Sequence, residues 1–337
     1  MSATVQVSVV IPTYRRCASA ERLLHTLTQQ TLAPDQYEVI LAIDGSEDGT
    51  WEMATSFDAP YRLHPVRQPN RGRAAACNTG IQAAQGELVV LLDDDMQPAP
   101  TFLAAHLAAH VPDENLGVVG AVPIQVAASS SPVLQYVAEK FNRHLAKLAQ
   151  PGYRFGLRDF YSGNFSIRRQ TLLAVGGFDE GFRLYGNEDI DLSLRLQAAG
   201  VTLVYSPQAV AFQSYTKDFT ALARDHIAKG QTSVRLVNRH PAALPALKLN
   251  TYRQGSRQWR LLRALLLLTS RVWSETPELV SRGVMQLERW RVPHLRLVYD
   301  LVLDYCYWHG VQVAEGEAQG TGRRGGTWMG WGGKSRA

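Results

Sequence analysis

The sequence predicts an α/β fold, a mostly parallel sheet flanked by helices and followed by a basic helical extension toward the C-terminus. Short apolar runs alternate with helical segments over roughly the first hundred residues. Each of these runs ends in polar residues, and Lys and Arg become concentrated after about residue 216. Strand–helix alternation of this kind is typical of an open, doubly wound sheet.

The apolar runs are rich in Val, Ile and Leu and are too short for helices, so they predict buried parallel strands. These strands are expected at 5–11, 37–43 and 87–92, with helices at 19–30, 50–57 and 73–84 between them. Farther along, a helix is expected at 192–199, where Gly200 ends it, and a strand at 201–205.

Composition places the chain among folded globular proteins, with 45% apolar and 19% charged residues. Its three cysteines, Cys17, Cys77 and Cys306, lie far apart without metal-binding spacing, which predicts free thiols in a reducing, cytoplasmic setting. The N-terminus runs directly into the first predicted strand, and the apolar stretch at 261–269 is short. We therefore expect neither a signal peptide nor a membrane-spanning segment.

Polar residues follow each of the first three predicted strands. They are Pro12-Thr13-Tyr14, Asp44-Gly45-Ser46 and Asp93-Asp94-Asp95. Because ligands of open α/β sheets bind outside the carboxyl ends of the strands, these segments predict one ligand crevice. Three adjacent carboxylates repel one another unless a cation neutralises them, and their oxygens suit Mg²⁺ or Mn²⁺. The alternative is a solvated acidic turn that caps the next helix.

Other polar residues each have a structural and a functional interpretation. Glu188-Asp189-x-Asp191 opens a predicted helix, where carboxylates cap the helix or one of them acts as a general base. We expect Asp191 to cap or orient. Asp44 is either part of an ordinary Asp-Gly turn or a strand-end carboxylate that accepts a hydrogen bond from the imide N–H of a uracil. Arg71 and Arg73 fit solvated loop residues or clamps for a diphosphate.

Six segments with recognisable motifs follow one another along the chain. They are Val-Ser-Val-Val-Ile-Pro-Thr-Tyr at 7–14, Ile-Asp-Gly-Ser-Glu-Asp-Gly-Thr at 43–50, Gly72 to Gly80, Leu-Asp-Asp-Asp at 92–95, Gly-Gly-Phe-Asp-Glu at 176–180 and Asn-Glu-Asp-Ile-Asp-Leu at 187–192 with Arg195 and Gly200. No single segment is specific by itself, but in this order they resemble the family 2 glycosyltransferases of the GT-A, Rossmann-like fold. The resemblance covers roughly residues 5–215.

The resemblance implies a role for each candidate residue. Pro12, Tyr14 and Asp44 would hold the nucleoside of a nucleotide-sugar donor, with a UDP-sugar expected first, and Arg71 and Arg73 its diphosphate. Asp93 and Asp95 would bind Mn²⁺ or Mg²⁺, and Asp94 would contact the ribose. The acceptor, a glycan, a lipid-linked sugar or a small molecule, would meet Gly163, Asn164 and Glu188. Asp189 would be the general base of an inverting displacement.

Two positions depart from the family pattern. Many relatives have Arg where this chain has Cys77, so the charge at the diphosphate would have to come from Arg71 or Arg73. Many also carry a metal-binding His where this chain has Gln213 after 209–212. A Gln carbonyl still coordinates Mg²⁺ or Mn²⁺, although more weakly, so we include Gln213 among the expected metal ligands.

The expected domains are a nucleotide-sugar-binding half at 1–120, an acceptor and catalytic half at 121–215, a helical extension at 216–314 and a disordered Gly-rich tail at 315–337. Basic residues alternate with aromatic and aliphatic ones in the extension. The first interpretation of this pattern is that the helices pack on the catalytic domain and leave a solvated basic face. Docking on anionic lipid at the inner face of a membrane is second, and nucleic acid is not expected because no recognition motif accompanies the charge.

Two other functions stay open from the sequence. A sugar-nucleotide pyrophosphorylase also uses a Rossmann-like sheet with acidic metal ligands, but it typically has a Gly-rich phosphate loop where this chain has Arg15-Arg16. A noncatalytic protein that binds sugar nucleotides would keep the fold without turnover. The retained Asp93, Asp95 and Asp189 favour a catalyst, whereas Cys77 and Gln213 keep the second alternative open.

Overall fold

The computed structural model describes residues 5–112, 114–290 and 292–320. Its strands are β1 (Val7–Thr13), β2 (Tyr37–Asp44), β3 (Arg62–Gln68), β4 (Leu88–Leu92), β5 (Met96–Pro98), β6 (Leu116–Ala121), β7 (Asn164–Arg168) and β8 (Thr202–Gln213). Its α-helices are α1 (Cys17–Leu27), α2 (Thr50–Ser56), α3 (Arg73–Ala83), α4 (Phe102–Ala109), α5 (Pro132–Leu148), α6 (Arg169–Ala174), α7 (Glu188–Ala198), α8 (Phe219–Arg239), α9 (Arg257–Val272), α10 (Thr276–Arg289) and α11 (Leu295–Gly320). Short 3₁₀ helices span Pro34–Gln36, Leu157–Asp159, Pro241–Ala246 and Lys248–Thr251.

The chain divides into two compact units. The first unit contains the sheet, whose strand order is β3-β2-β1-β4-β7-β6-β8-β5. Strands β3, β2, β1 and β4 run parallel, β7 runs antiparallel to β4 and β6, and β5 runs antiparallel to β8. The predicted α/β class with a mostly parallel sheet is confirmed.

Helices cover both faces of this sheet. Val9 and Ile11 of β1 lie in one buried apolar cluster with Leu23 and Leu27 of α1. Val10, between them, lies in a second cluster with Ile81 of α3. Because successive side chains of a strand point to opposite faces, this alternation means that β1 is buried from both sides. A Cβ on Gly80 would overlap the Val10 side chain, so glycine lets α3 approach the strand closely.

Some elements differ from those predicted. Strand β3 lies at the edge of the sheet, where only one neighbour pairs with it. The strand was not predicted because its side chains are partly exposed and it contains Pro65, so it does not form an apolar run. Strand β8 continues to Gln213, eight residues past the end of the strand predicted at 201–205. Its pairing with β6 shifts register between Gly120 and Ala121, so Pro207 is accommodated at an irregularity.

The second unit is helical. Its long helices α8 and α11 approach closely at Gly230 and Gly310, where a Cβ on either glycine would overlap a backbone carbonyl of the other helix. Helix α11 extends to Gly320 and includes residues 315–320, which were predicted to begin a disordered tail. That part of the prediction is wrong, and residues 321–337 lie outside the described residues. Among those that are described, no helix is both long enough and apolar enough to cross a bilayer.

Candidate active site

The candidate residues gather where the parallel strands end. Register pairs Thr13 of β1 with Ile43 of β2, so Tyr14 and Asp44 lie at the same edge of the sheet. Strand β4 ends beside the start of β7, where Leu92 pairs with Asn164. The Asp93 amide then donates to the Gly163 carbonyl at 3.0 Å. The sheet thus places the acidic triplet next to the Gly163 segment.

Gly163 leaves room for the Asp93 carboxylate. A Cβ at position 163 would overlap Asp93 Oδ2. The other oxygen, Oδ1, accepts from Arg73 Nε at 3.1 Å and from Arg73 Nη2 at 2.7 Å. Arg73 is the first residue of α3, and the carboxylate remains a third exposed. Asp93 is therefore held against a guanidinium while part of it faces outward.

Arg73 also connects Asp93 with the acidic start of α7. Its Nη2 donates to Ser162 Oγ at 3.0 Å, and its Nη1 lies 3.4 Å from Asp189 Oδ1. The Ser162 hydroxyl donates to the same Asp189 oxygen. A single guanidinium and one serine thus join the predicted metal ligand to the predicted base, which the sequence did not reveal.

Glu188 and Asp189 lie in different environments although they are neighbours. The Asp189 side chain is 26% exposed, whereas that of Glu188 is only 5% exposed. Glu188 Oε2 is buried and has no hydrogen-bond partner among the described residues, while Oε1 lies 3.6 Å from Arg73 Nη1. Burial, together with the charge of Asp189, raises the pKa of Glu188. Asp189 is thus the more accessible carboxylate of the pair.

Asp94 faces β1 and not the ligand crevice. Its oxygens accept from Thr13 Oγ1 at 2.7 Å and from Arg16 Nη1 at 2.6 Å, and the residue is 5% exposed. Burial raises the pKa of Asp94, and Arg16 and Thr13 oppose that shift. These contacts make Asp94 a support for the loop after β1. We therefore do not keep the ribose contact expected from the resemblance.

Asp95 and Gln213 lie together at the start of β5 and the end of β8. Gln213 Nε2 is 3.4 Å from Asp95 Oδ2, and Arg16 Nη1 is 3.5 Å from the same oxygen. Asp95 Oδ1 is buried without a hydrogen-bond partner among the described residues. Burial, with the charge of Asp93, raises the pKa of Asp95 to about 6. A buried carboxylate oxygen without a partner among the described residues is suited to bind a cation.

Asp93, Asp95 and Gln213 suit a hard divalent cation that takes only some of its ligands from the protein. Within the described ranges, no three His, Cys, Asp or Glu side chains are arranged as a metal site. Asp93 and Asp95 would supply carboxylate oxygens, and rotation of the Gln213 amide would supply a carbonyl oxygen. Mg²⁺ usually keeps several waters and binds through one or two carboxylates plus substrate phosphates. Such a site needs no third acidic ligand.

Asp44 shapes the loop that follows β3. Its oxygens accept from the Arg71 amide at 2.8 Å, the Gly72 amide at 2.9 Å and Gln68 Nε2 at 2.7 Å. A carboxylate has about four acceptor positions, so one remains for a base N–H. Asp44 is only 3% exposed and Pro12 is buried in β1, whereas Tyr14 is 41% exposed with the Arg15 guanidinium over its ring. Tyr14 is therefore the accessible side chain among these three residues at the ends of β1 and β2.

The two expected diphosphate clamps have different surroundings. Arg71 is half exposed and pairs with Glu180, whereas Arg73 pairs with Asp93. Cys77 is fully buried, and burial raises the pKa of its thiol to about 12. It lies one helical turn after Arg73, so the positive charge that the resemblance led us to expect at position 77 lies on the neighbouring turn of α3.

Asn78 explains the Gly-Gly-Phe-Asp-Glu segment. Its side-chain oxygen accepts from the Phe178 amide at 2.8 Å, and its Nδ2 donates to the Phe178 carbonyl at 3.0 Å. Gly177 has φ of +62°, and a Cβ there would overlap Asn78 Oδ1. Glycine at 177 is therefore required both by the backbone conformation and by this contact.

Asn164 is part of a buried network and not of an open acceptor surface. It is fully buried, and its Nδ2 donates to the Ala121 and Ala209 carbonyls. Its Oδ1 is 2.8 Å from His106 Nε2, which must therefore carry a proton. His106 Nδ1 then accepts from Ser166 Oγ at 2.8 Å. Asn164 supports the strands around Gly163, and we no longer assign it a contact with the acceptor.

This network predicts loss of stability in mild acid. Burial lowers the pKa of His106 to about 4 from an ordinary 6.5. The unfolded chain binds this proton more readily, so stability is full above about pH 6.5 and falls as pH drops toward the folded-state pKa. From this residue alone we expect the free energy of unfolding to fall by roughly 2 kcal/mol between about pH 7 and about pH 5.

Urea unfolding at a series of pH values measures this effect, with His106→Gln as the matched variant. The variant cannot titrate at position 106, so its stability should depend less on pH over the same interval. Equal pH dependence in the two proteins would contradict the assignment.

A cavity of about 310 Å³ lies at the beginning of α1, next to the acidic triplet. Arg16, which contacts Asp94 and Asp95, belongs to its wall. Sequence reasoning missed Arg16 because an Arg after a strand has no distinctive pattern of its own. The lining residues are Arg15, Arg16, Cys17, Ala18, Ser19, Arg22, Asp48, Ser214 and Thr216.

Two family models match this chain. Residues 8–176 match the model described as glycosyl transferase family 2, and residues 142–218 match one described as the N-terminal domain of galactosyltransferase. A validoxylamine A glucosyltransferase of Streptomyces hygroscopicus subsp. limoneus is 30% identical over 269 residues, covering 72% of this chain and 58% of that protein. The uncharacterised glycosyltransferase YfnE of Bacillus subtilis is 31% identical over 248 residues, covering 59% and 62%. The chain thus spans only about three fifths of these relatives.

Solved structures share the fold at low sequence identity. The mannosyltransferase PcManGT of Pyrobaculum calidifontis, in complex with GDP-Man and Mn²⁺, has a TM-score of 0.55 and 22% identity, covering 90% of this chain and 87% of its own. S. aureus TarS 1–349 with UDP has a TM-score of 0.51 and 17% identity, covering 94% and 92%. The fold is therefore GT-A, and since the family model matches half of its length, the chain belongs to glycosyltransferase family 2.

Proposed function

We propose that the protein transfers a sugar from a nucleoside-diphosphate sugar to an acceptor hydroxyl with inversion, assisted by Mn²⁺ or Mg²⁺. The observation that carries this proposal is the contact chain through Arg73. This guanidinium reaches Asp93, a candidate metal ligand, and Asp189, a candidate base, at 2.7 and 3.4 Å. The candidate metal ligand and the candidate base thus both contact Arg73. A single displacement requires the departing diphosphate and the proton acceptor to lie close together in this way.

The donor would bind along the edge formed by β1, β2 and β4. The remaining acceptor position of Asp44 suits the imide N–H of uracil, and Tyr14 offers an exposed ring beside it. A UDP-sugar is therefore the first donor to test. TarS binds UDP and PcManGT binds GDP-Man, so guanosine donors belong in the same screen.

Asp93, Asp95 and Gln213 would hold the cation. When bound, it would neutralise charge on the departing diphosphate. In the structure Asp93 Oδ1 contacts Arg73, and Asp95 Oδ1 has no partner among the described residues. If the donor diphosphate approaches, Arg73 already lies beside it and can turn part of its fork toward phosphate oxygens. Arg73 would then supply the positive charge that the resemblance led us to expect at position 77.

Asp189 would accept the proton of the acceptor hydroxyl. Both of its described hydrogen bonds fall on Oδ1, from Ser162 and from Arg73, which leaves Oδ2 for the acceptor. The two donors keep the carboxylate oriented, as a general base requires. Glu188 is too buried to meet an acceptor freely, so we now propose for it a role in holding Arg73.

The proposal is tested by a thermal-shift screen of UDP-, GDP- and dTDP-sugars with Mn²⁺, followed by product analysis for each stabilising donor. A glycosyltransferase releases a nucleoside diphosphate. A pyrophosphorylase instead forms a nucleoside triphosphate when pyrophosphate is supplied, and a noncatalytic binding protein leaves the donor intact. The second or third result would contradict the proposed function.

A further inference from the structure

Helix α9 of the second unit exposes a row of apolar side chains. Leu261, Leu265, Leu268 and Val272 are 72%, 58%, 53% and 92% exposed. Their spacing of four, three and four residues places them on one stripe of an α-helix. The side chains that α9 buries, Arg263, Leu267 and Ser270, lie on the opposite face. Helix α9 is therefore apolar on the side that faces solvent, which burial inside this unit does not explain.

Arginines surround the beginning of the same helix. A cavity of about 310 Å³ is lined by Tyr252, Arg253, Arg257, Arg260, Leu261 and Arg263, and thus by no acidic residue. Arg263 is 3% exposed, and its Nε is buried without a hydrogen-bond partner among the described residues. Arg260 Nε is likewise buried and unpartnered. The Nε–H groups of two residues that line the cavity thus have no acceptor within the described ranges.

The local charge is not balanced by the unit itself. Arg263 Nη1 and Lys248 Nζ both contact the carboxylate of Asp304, at 2.7 and 3.1 Å. One negative charge thus meets two positive ones, and Arg253, Arg257 and Arg260 add to the excess. No Asp or Glu occurs between His226 and Ser274 in the sequence. An anionic group would supply what the cavity lacks.

We propose that α9 docks the protein on an anionic phospholipid surface. The apolar stripe enters the boundary between headgroups and acyl chains, as exposed apolar faces of interfacial helices do. Arg253 and Arg257, which are exposed at the beginning of α9, bind lipid phosphates. Trp273, 57% exposed directly after the helix, suits the headgroup level. Anionic lipid is the partner that satisfies the apolar stripe and the basic cavity together.

Vesicle sedimentation tests this proposal on the full chain. We expect binding to vesicles of phosphatidylglycerol and phosphatidylcholine, little binding to phosphatidylcholine alone, and weakening with salt. Arg253→Gln combined with Arg257→Gln should lower the partition coefficient roughly 25-fold, at about fivefold per arginine. Leu261→Asn combined with Leu265→Asn should lower it about tenfold or more, because two apolar side chains no longer insert. All four positions are exposed, so the fold should persist, as circular dichroism can verify.

Matched controls come from the first unit. Arg143→Gln and Val111→Asn change exposed residues of the same kinds and should leave partitioning within about twofold of wild type. With brominated phosphatidylcholine in the anionic vesicles, tryptophan quenching should decrease in Trp273→Phe. Equal binding to neutral and anionic vesicles would overturn the proposal. So would unchanged binding of the leucine variant, equal loss in the Arg143 control, or absence of vesicle binding together with binding of another macromolecule.

Discussion

Asp189→Asn should reduce turnover by roughly a hundredfold or more while leaving the affinity for the donor near that of wild type. The acceptor hydroxyl is a poor nucleophile, and loss of a positioned general base typically costs that much. The neutral amide can still occupy the space beside Arg73 and Ser162, so the contact network should stay in place. Steady-state rates and donor calorimetry on the same protein separate the two effects.

Asp191→Asn is the matched control, two residues farther along α7. Asp191 is fully buried and its carboxylate pairs with Arg195 at 2.8 Å, one turn later in the helix. Removing its charge leaves Arg195 poorly compensated, so the midpoint of thermal unfolding should fall while the activity of the folded fraction is retained. Loss of turnover in Asp191→Asn with normal turnover in Asp189→Asn would mean that the base has been misassigned.

Asp95→Asn should remove most metal-dependent binding of the nucleotide, by about tenfold to a hundredfold. Its buried Oδ1 has no hydrogen-bond partner in the part of the chain that the structure describes, and Asp93 and Arg16 set the local charge. An amide oxygen coordinates Mn²⁺ or Mg²⁺ more weakly than a carboxylate does. Because the change also relieves a buried carboxylate whose pKa is raised by burial, the fold should not be weakened.

Calorimetry with UDP, in Mn²⁺ and in excess chelator, measures this effect. Asp94→Asn provides the comparison, since Asp94 contacts Thr13 and Arg16 instead of the crevice. In that variant, metal should still strengthen UDP binding as much as it does in the wild type. If wild-type affinity were the same with and without chelator, the assignment of Asp93 and Asp95 to the metal would be wrong.

Much of the sheet was predictable because its central strands are buried on both faces. β1, β2 and β4 are continuous apolar runs, so local composition identifies them, and polar residues mark their ends. Strand β7 is different, because Asn164 and Ser166 face a buried network with His106. Those polar groups are compatible with a core only because they satisfy one another, and that pairing depends on tertiary structure.

The sequence predicted which carboxylates belong to the site, but it did not predict the contacts that the arginines make with them. Acidic residues at strand ends and helix starts have recognisable positions in a sequence. The sequence indicated Arg73 as a diphosphate clamp, whereas its contacts with Asp93 and Asp189 arise only because the fold brings the first residue of α3 beside carboxylates that are distant in sequence. The same limit applies to Arg16 and Ser162, whose neighbours lie far from them in sequence.

Helix α9 shows why the sequence alone could not predict which side chains of a helix are exposed. Its leucine run contains residues of both faces, so periodicity does not decide which face is buried. The structure places Arg263 inside and Leu261 outside, the reverse of what hydrophobicity alone predicts. That inversion depends on Asp304 and on the rings of Tyr252 and Trp308, which surround the Arg263 guanidinium.

The anomeric configuration of the product tests the central claim most directly. If Asp189 deprotonates an acceptor that attacks the anomeric carbon opposite the departing diphosphate, the new bond must have the configuration opposite to that of the donor. Proton NMR of the first product formed from the best donor and acceptor pair, read from the anomeric coupling constant, distinguishes the outcomes. The account predicts inversion. Retention of the donor configuration would contradict a single displacement with Asp189 as the base.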